Sequence, residues 1–309
     1  MTYLQEDKKC PVLELVKETP KPRFIMIVGM PGSGKTTYSE SLASDTTIHM
    51  SSDRIRKELY GDENCQQDNN KVFTLMQERT VELLNKGFNV IYDATNIYRK
   101  NRNKILKLIP EHVYKECIVV WASVDTCFSR DAVREKTVGP KVIDKMLRSF
   151  EAPFFDEGFD KITVHKTEEL STKQYLSQIF ESLSIPHDNP YHTVDIDEHC
   201  RLCGENLIAM KAPDVVTMAG FFHDIGKAYT KSFTNRKGEP TDIAHYYGHQ
   251  STGAWMSYGI ATGAVSTETL AWLISTHMAP FTNQKYYNSL GQEYKDWIDL
   301  LHKADKEAC

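Results

Sequence analysis

Phe24-Ile25-Met26-Ile27-Val28-Gly29-Met30-Pro31-Gly32-Ser33-Gly34-Lys35-Thr36-Thr37 runs from an apolar stretch into a glycine-rich loop, and its reading decides the fold of the first half of the chain. A short, unbroken apolar run suits a parallel strand covered on both faces. Gly29 to Thr36 satisfies the G-x-x-x-x-G-K-[ST] pattern, with a strand before it and helical periodicity after it. Gly29, Gly32 and Gly34 let the backbone N–H groups of the loop, Ser33 and Thr37 included, turn onto phosphate oxygens at a helix N-terminus. Lys35 is expected to neutralise the β- and γ-phosphates, and Thr36 to hold Mg²⁺. ATP with Mg²⁺ is therefore the expected ligand. The loop by itself does not identify the acceptor.

Working outward, TTIHM reads as a second strand and RIRKELY as a helix leaving it. KVFTLMQERTVELLNK (Lys71 to Lys86) has helical periodicity stopped by Gly87, and FNVIYD and CIVVWA are further strands with a basic helix between them. Strands alternating with helices indicate an α/β sandwich around a parallel sheet. Residues 1–22 read as an irregular arm closed by Pro20 and Pro22. The pattern changes at Ser184 to His192, where prolines and polar residues mark a linker. We place a boundary at about 186, giving a P-loop domain over 23–185 and an all-α domain over 186–309 in which no strand is expected. Of the 11 histidines, most lie from His187 onward.

The chain has 309 residues, room for two domains each with its own core. A formal charge of −5 argues against coating of long nucleic acid through a basic surface, but permits a grip on the last nucleotides of a strand. Seven scattered cysteines suit a reducing cytoplasm. No apolar run approaches the roughly 20 residues of a membrane span, and the start lacks a secretory signal core. A cytoplasmic enzyme with no membrane partner is expected.

Asp53 and Arg56 follow the second strand. An acid at a strand's carboxyl end lies on the sheet edge where ligands of open α/β sheets collect, so Asp53 can accept a proton from an incoming hydroxyl. Arg56, one turn on, can orient an acceptor phosphate. An isolated D-x-x-R would instead read as a helix cap and a surface arginine. Here Asp93, in Asp93-Ala94-Thr95-Asn96, ends the next strand at the same edge. Arg130 and Arg134 are spaced to share one helical face, ahead of a lid around Val138-Gly139-Pro140. Arg99-Lys100-Asn101-Arg102-Asn103-Lys104 and Lys107 form either a basic stripe for a nucleic-acid strand or an ordinary solvated helix face.

Residues 24–165 thus resemble the kinase domain of phage polynucleotide kinase and its P-loop relatives, in the order GMPGSGKTT, D-x-x-R, DATN, paired arginines. The resemblance implies that Asp53 is the general base for a 5′-hydroxyl and that Arg56 holds the 3′-side phosphate. It also implies that Arg134, with Arg130, contacts ATP phosphates and that Asp93 acts through Mg²⁺ or shapes the acceptor pocket. The glycine in Val138-Gly139-Pro140 departs from the family's Val-Pro.

In the second half, His223-Asp224 in FFHDIGK has company in His199, His249, His277 and Asp305. Imidazoles and carboxylates in this mixture suit a divalent cation. Gly226 is expected to end the helix carrying the pair. Cys200 and Cys203, a lone C-x-x-C, read as helix packing.

Residues 187–309 resemble the HD phosphohydrolase superfamily, and within it the HD domain of CCA-adding and poly(A)-polymerase-like enzymes, in the order YH…EH…HDIGK…GH…H…AD. The resemblance implies a primary cage of His199, His223, Asp224 and Asp305, with His249 and His277 supporting a second metal. Mn²⁺, Mg²⁺, Co²⁺, Ni²⁺ and Fe²⁺ all fit the ligand types. His192 precedes His199 by seven residues, roughly 10 Å along a helix, so it is assigned with Lys227 to the substrate side.

Together these readings give a bifunctional enzyme for nucleic-acid ends, RNA first. ATP-dependent 5′-hydroxyl phosphorylation would be joined to removal of a 3′-phosphate or opening of a 2′,3′-cyclic phosphate, and an RNA ligase could act downstream. The rivals are a small-molecule or nucleotide kinase fused to a nucleotidase, and a kinase with a regulatory, non-catalytic HD module. Oligomeric state is left open.

Overall fold

The computed structural model describes residues 21–309 other than 64, 136, 191–192, 261–262 and 264. The arm at 1–20 and His192 therefore lie outside the described residues. The first part alternates β1 (Arg23–Val28), α1 (Lys35–Leu42), β2 (Thr47–Ser51), α2 (Ser52–Tyr60), α3 (Asn69–Asn85), β3 (Asn89–Asp93), α4 (Arg99–Leu106), β4 (Tyr114–Trp121), α5 (Val124–Val133), α6 (Pro140–Leu147), β5 (Lys161–Lys166) and α7 (Thr172–Leu183). The strands form one parallel sheet in the order β2-β3-β1-β4-β5. Ile25, Ile27, Ile91, Ile118 and Val120 face one side, where Tyr38 and Leu42 of α1 cover them. Phe24, Met26, Val28, Val90, Tyr92, Val119 and Trp121 face the other. Burial on both faces is why these strands read as continuous apolar runs rather than alternations.

β5 was not expected from the sequence. KITVHK mixes polar residues into a strand buried chiefly at Ile162, as befits the edge of the sheet.

From Ile196 the chain is mainly helical: α8 (Ile196–Ala209), α9 (Asp214–Phe222), α10 (Lys227–Thr230), then β6 (Ser232–Thr234) and β7 (Pro240–His245), and α11 (His249–Ser257), α12 (Thr267–Thr276), α13 (Ala279–Thr282), α14 (Gln284–Ser289) and α15 (Gln292–Glu307). β6 and β7 pair antiparallel, which corrects the expectation of an all-α second part. The hairpin turns at Gly238, whose φ of 85° suits glycine. Its strands are short and mostly exposed, so they leave no apolar run to recognise.

One apolar cluster spans both parts. The Trp121 indole donates to the Trp255 carbonyl at 2.9 Å, and the Trp255 indole donates to the Ala122 carbonyl at 3.1 Å. Tyr175 donates to the Met256 carbonyl at 3.0 Å. A Cβ on Gly259 would stand 2.3 Å from the Tyr175 ring and 2.4 Å from the Trp121 ring. The helices of the second part pack on one another, and their interior is continuous with that of the sheet layer. No described helix is long and apolar enough to cross a membrane.

Candidate functional site

The loop between β1 and α1 is shaped by its glycines. Gly32 and Gly34 have φ of 79° and 90°, a region L side chains rarely adopt, and a Cβ on Gly29 would stand 2.6 Å from the Val120 carbonyl oxygen. Lys35 Nζ donates to the Met30 carbonyl at 2.7 Å. Burial lowers the pKa of this lysine, with Arg134 adding to the effect and Asp93, Cys127 and Asp53 opposing it. Lys35 thus lies within the field of Asp53, Asp93 and Arg134.

Parallel pairing aligns Asp93 with Ile27 on one neighbour and with Ser51 on the other, so both acids come to the edge that holds the loop. Asp53 lies in the first turn of α2, where the Ser51 hydroxyl accepts from its backbone N–H. Its side chain is largely exposed, and Arg56 Nη1 is 2.6 Å from Oδ1. Arg56 is buried and also donates to Asn69 Oδ1 at 3.1 Å, with its centre 5.9 Å from the Phe73 ring. Asn96, the last residue of the DATN stretch, has φ of 48° and donates its amide to the Ile27 carbonyl at 2.7 Å, tying the end of β3 to β1.

The paired arginines do not share a helical face. α5 ends at Val133 and Arg134 is extended, with ψ of 149°. Arg134 pairs with Asp131 at 2.7 Å and is partly exposed. Arg130 instead donates to the Thr167 hydroxyl and carbonyl, both at 2.8 Å, and Thr167 donates to the Ser33 carbonyl at 2.9 Å. Arg130 supports the nucleotide loop through Thr167, which the sequence reading missed because β5 was missed. The Asp131 carboxylate accepts from the Val138 and Gly139 N–H groups and from Thr137, organising the segment before α6.

Two arginines of the basic run are structural, while Lys100, Asn101, Lys104 and Lys107 are exposed. Arg102 is fully buried and bidentate to Glu157, both contacts 2.8 Å. Arg99 pairs with Asp156 at 2.6 Å and lies 4.5 Å from the centre of the Tyr286 ring.

A second cluster gathers in the helical part. His199 comes from α8, His223 and Asp224 from the turn after α9, His249 from the start of α11, His277 from the end of α12 and Asp305 from α15. His199 Nε2 is 2.8 Å from Asp305 and 3.7 Å from Asp224, while His223 Nε2 is 3.3 Å and 3.4 Å from the same two acids. His249 Nε2 is 3.3 Å from the other Asp224 oxygen and 3.4 Å from His277 Nε2. Donor atoms of His199, His223 and Asp224 lie within 4.8 Å of one another, as do those of Asp224, His249 and His277.

Each of these four imidazoles faces a backbone carbonyl through Nδ1: Ala308 for His199, Gly220 for His223, Tyr246 for His249 and Ile274 for His277. That pattern assigns the proton to Nδ1 and aims Nε2 inward, as ion-binding imidazoles require. The buried His223 Nε2 faces both carboxylates without a well-aligned hydrogen bond to either. These donor sets, with Asp224 common to both, fit residues that would hold a divalent ion.

The charges of this cluster act strongly on one another. Burial opposes ionisation of Asp224 but is outweighed by Lys227 and His223, which hold its pKa well below the usual range. Burial likewise opposes the charge on His223, yet Asp224 raises its pKa well above normal. Burial with the neighbouring His249 and His223 pushes His277 down to about 3.

Lys227, expected on the substrate side, is buried with Nζ 2.5 Å from Asp224 and 3.2 Å from His187 Nε2. His187 is a residue the sequence reading missed. It is 2% exposed, its ring is 5.5 Å from that of His199, and its Nδ1 contacts the Val194 carbonyl at 2.8 Å. It sits in the proline-flanked stretch at 184–192, where no motif marks it.

Gly226 does not end the helix. Its φ is −69°, and α9 has already stopped at Phe222. A Cβ there would stand 2.0 Å from the His249 carbonyl oxygen and 2.6 Å from the Gly253 nitrogen, so this glycine admits α11 against the His-Asp turn. Cys200 and Cys203 are buried in α8, which packs on α9.

A family model described as an AAA domain matches residues 24–153. The chain is 27% identical over 151 residues to transcription factor bHLH140 of Arabidopsis thaliana, a match that spans 46% of this chain and only 16% of that protein. It is 27% identical over 252 residues to L-seryl-tRNA(Sec) kinase of Methanococcus maripaludis, spanning 71% of this chain and 93% of that one. Among solved structures, a chain of the Pnkp1/Rnl/Hen1 complex has a TM-score of 0.33 and 23% identity, with 39% of this chain and 42% of that chain covered. A gluconokinase from Sinorhizobium meliloti 1021 has a TM-score of 0.35 and 18% identity, with 48% and 85% covered. The first part of this chain is a parallel-sheet P-loop domain similar to those of kinases, a fold that implies ATP and Mg²⁺ as its ligands.

Proposed function

We propose that this chain is a bifunctional RNA end-healing enzyme, a polynucleotide 5′-hydroxyl kinase over 23–185 joined to an HD-type metal-dependent phosphohydrolase over 186–309. The observation that carries this reading is the presence in one chain of two separate phosphate-suited centres. One is the nucleotide loop with Asp53, Arg56 and Asp93 at its edge. The other is the ring of inward-facing imidazoles around Asp224 and Asp305.

In the first centre, Asp53 takes the proton of the 5′-hydroxyl as that oxygen attacks the γ-phosphorus of ATP and ADP leaves. Lys35 and Arg134 neutralise the transferring group, and Arg56 holds the acceptor phosphate. In the second, His199, His223, Asp224 and Asp305 would hold one divalent ion, with Asp224, His249 and His277 holding another. Such ions lower the pKa of water and brace the attacking and leaving oxygens of a phosphoester. Lys227 and His187 would orient the phosphate beside Asp224. The products, a 5′-phosphate and a free 3′ end, are what an RNA ligase consumes, and a cytoplasmic setting suits that partner.

The test is product mapping on an RNA carrying a 5′-hydroxyl and a 2′,3′-cyclic phosphate, with Mn²⁺ and ATP supplied. Asp53→Ala is expected to block only the 5′ addition, and Asp224→Ala only the 3′ removal. Brisk transfer to a metabolite with none to RNA or DNA would reject the proposal. A second reading is favoured by the match to L-seryl-tRNA(Sec) kinase across 93% of its length. On that reading the acceptor is a small hydroxyl carried by RNA, and faster phosphorylation of seryl-tRNA than of a 5′-hydroxyl oligonucleotide would establish it.

A further inference from the structure

His49 lies within β2, in a run otherwise expected to be apolar or small on its buried side. In the parallel register His49 aligns with Ile91 and Ser51 aligns with Asp93. Residues two apart on a strand share a face, so His49 and Asp93 project to the same side of the sheet. That side is the one α1 covers, because Ile91 packs there with Tyr38 and Leu42. The side chains of His49 and Asp93 are 2% and 6% exposed, and His49 Nε2 is 2.9 Å from Asp93 Oδ2. His49 Nδ1 is buried with no hydrogen-bond partner among the described residues. The geometry is met by Nε2–H donating to the carboxylate, because a bare N–H at Nδ1 would carry the cost of an unsatisfied buried donor.

We propose that His49 is a positioning residue of the phosphotransfer site, fixing the Asp93 carboxylate so that its second oxygen serves the Mg²⁺ that accompanies ATP. The proposal rests on the kinase reading above. Three observations point Asp93 to the nucleotide side. It pairs in register with Ile27, two residues before the loop begins. Its charge is the leading one that favours the ammonium of Lys35. No described residue donates to Oδ1, whereas Oδ2 is held by His49. A carboxylate free to rotate would present either oxygen. One donor from a rigid strand removes that freedom, in the way that hydrogen bonds orient carboxylates beside metals.

The experiment measures ATP binding by titration calorimetry over a range of Mg²⁺ concentrations, alongside kcat and Tm, in the full chain. His49→Leu is expected to raise the half-saturating Mg²⁺ about tenfold, and His49→Gln, whose amide can stand in for Nε2–H, to stay within about threefold of wild type. Binding of ATP without Mg²⁺ should be unchanged in both. Should His49→Leu not fold, His49→Asn carries the test, since its shorter amide falls short of Asp93 and is expected to behave as leucine would. A folded His49→Leu or His49→Asn with wild-type Mg²⁺ dependence overturns the proposal, as does His49→Gln impaired as severely as His49→Leu. Wild-type protein that binds Mg²⁺ and ATP but phosphorylates no acceptor rejects the kinase reading and leaves the role of His49 measurable by binding alone.

Discussion

Asp53 sits in the first turn of α2 with Arg56 2.6 Å from its carboxylate, and on the proposed kinase reading the pair would divide the work of an acceptor site. Asp53→Asn keeps the shape but not the base, so kcat for phosphate transfer should fall about 10²-fold or more while ATP binding holds, as steady-state kinetics and calorimetry would read. Arg56→Lys cannot span Asp53 and Asn69 with a planar fork, so the acceptor KM should rise more than kcat falls. The inward Nε2 atoms define the other centre. Stripping divalent ions with a chelator should lower Tm, and Mn²⁺ at about a hundredfold over its Kd should restore about 2.7 kcal/mol, read by scanning calorimetry. At this scale the sequence disclosed what carries a motif. Asp53, Lys35 and His223-Asp224 stand in patterns, whereas His49 hides inside a strand and His187 inside a proline-flanked stretch. Their chemistry arises from neighbours 44 and 40 residues away.

Elements depart from the reading wherever a helix boundary or a close approach was involved. A shared face for Arg130 and Arg134 required one continuous helix, but the chain turns extended at Arg134 to wrap the following segment onto Asp131. The glycine of the His-Asp-Ile-Gly turn was read as a stop, but it is a point of contact between α11 and the turn. Gly226→Ala should therefore push α11 outward, costing about 1–3 kcal/mol and moving His249 away from Asp224. Chemical denaturation checks the first effect and a Mn²⁺ titration with fewer or weaker sites checks the second. The basic run on α4 shows the limit of charge patterns. Arg102 is locked to Glu157 in the interior, and removing either partner would leave a buried charge. Arg102→Ala is expected to destabilise the protein by about 3–5 kcal/mol, measured by urea unfolding, far beyond the cost of losing a surface contact to nucleic acid.

At the scale of the whole molecule, the two parts share one apolar cluster, joined by the reciprocal indole-to-carbonyl bonds of Trp121 and Trp255. Arg148, capping α6, reaches the carbonyls of Tyr229, Thr230 and Tyr247 next to the His-Asp centre. A fragment of residues 21–185 would expose Trp121 and Tyr175, and it should bind apolar dye and lose most of its cooperative unfolding relative to the full chain. A fragment as stable as the whole would show that the interface adds little. By itself the sequence determined four strands of the parallel sheet, the nucleotide loop, and the histidines and aspartates that the fold gathers around Asp224. Strand hydrophobicity, glycine spacing and His-Asp chemistry are local and survive in one dimension. Only the tertiary structure decided that Arg130 braces the loop through Thr167, that His49 holds Asp93, that His187 joins Lys227, and that one apolar cluster runs through both parts. Each of these is a contact between distant segments, set by packing and register rather than by any neighbouring residue.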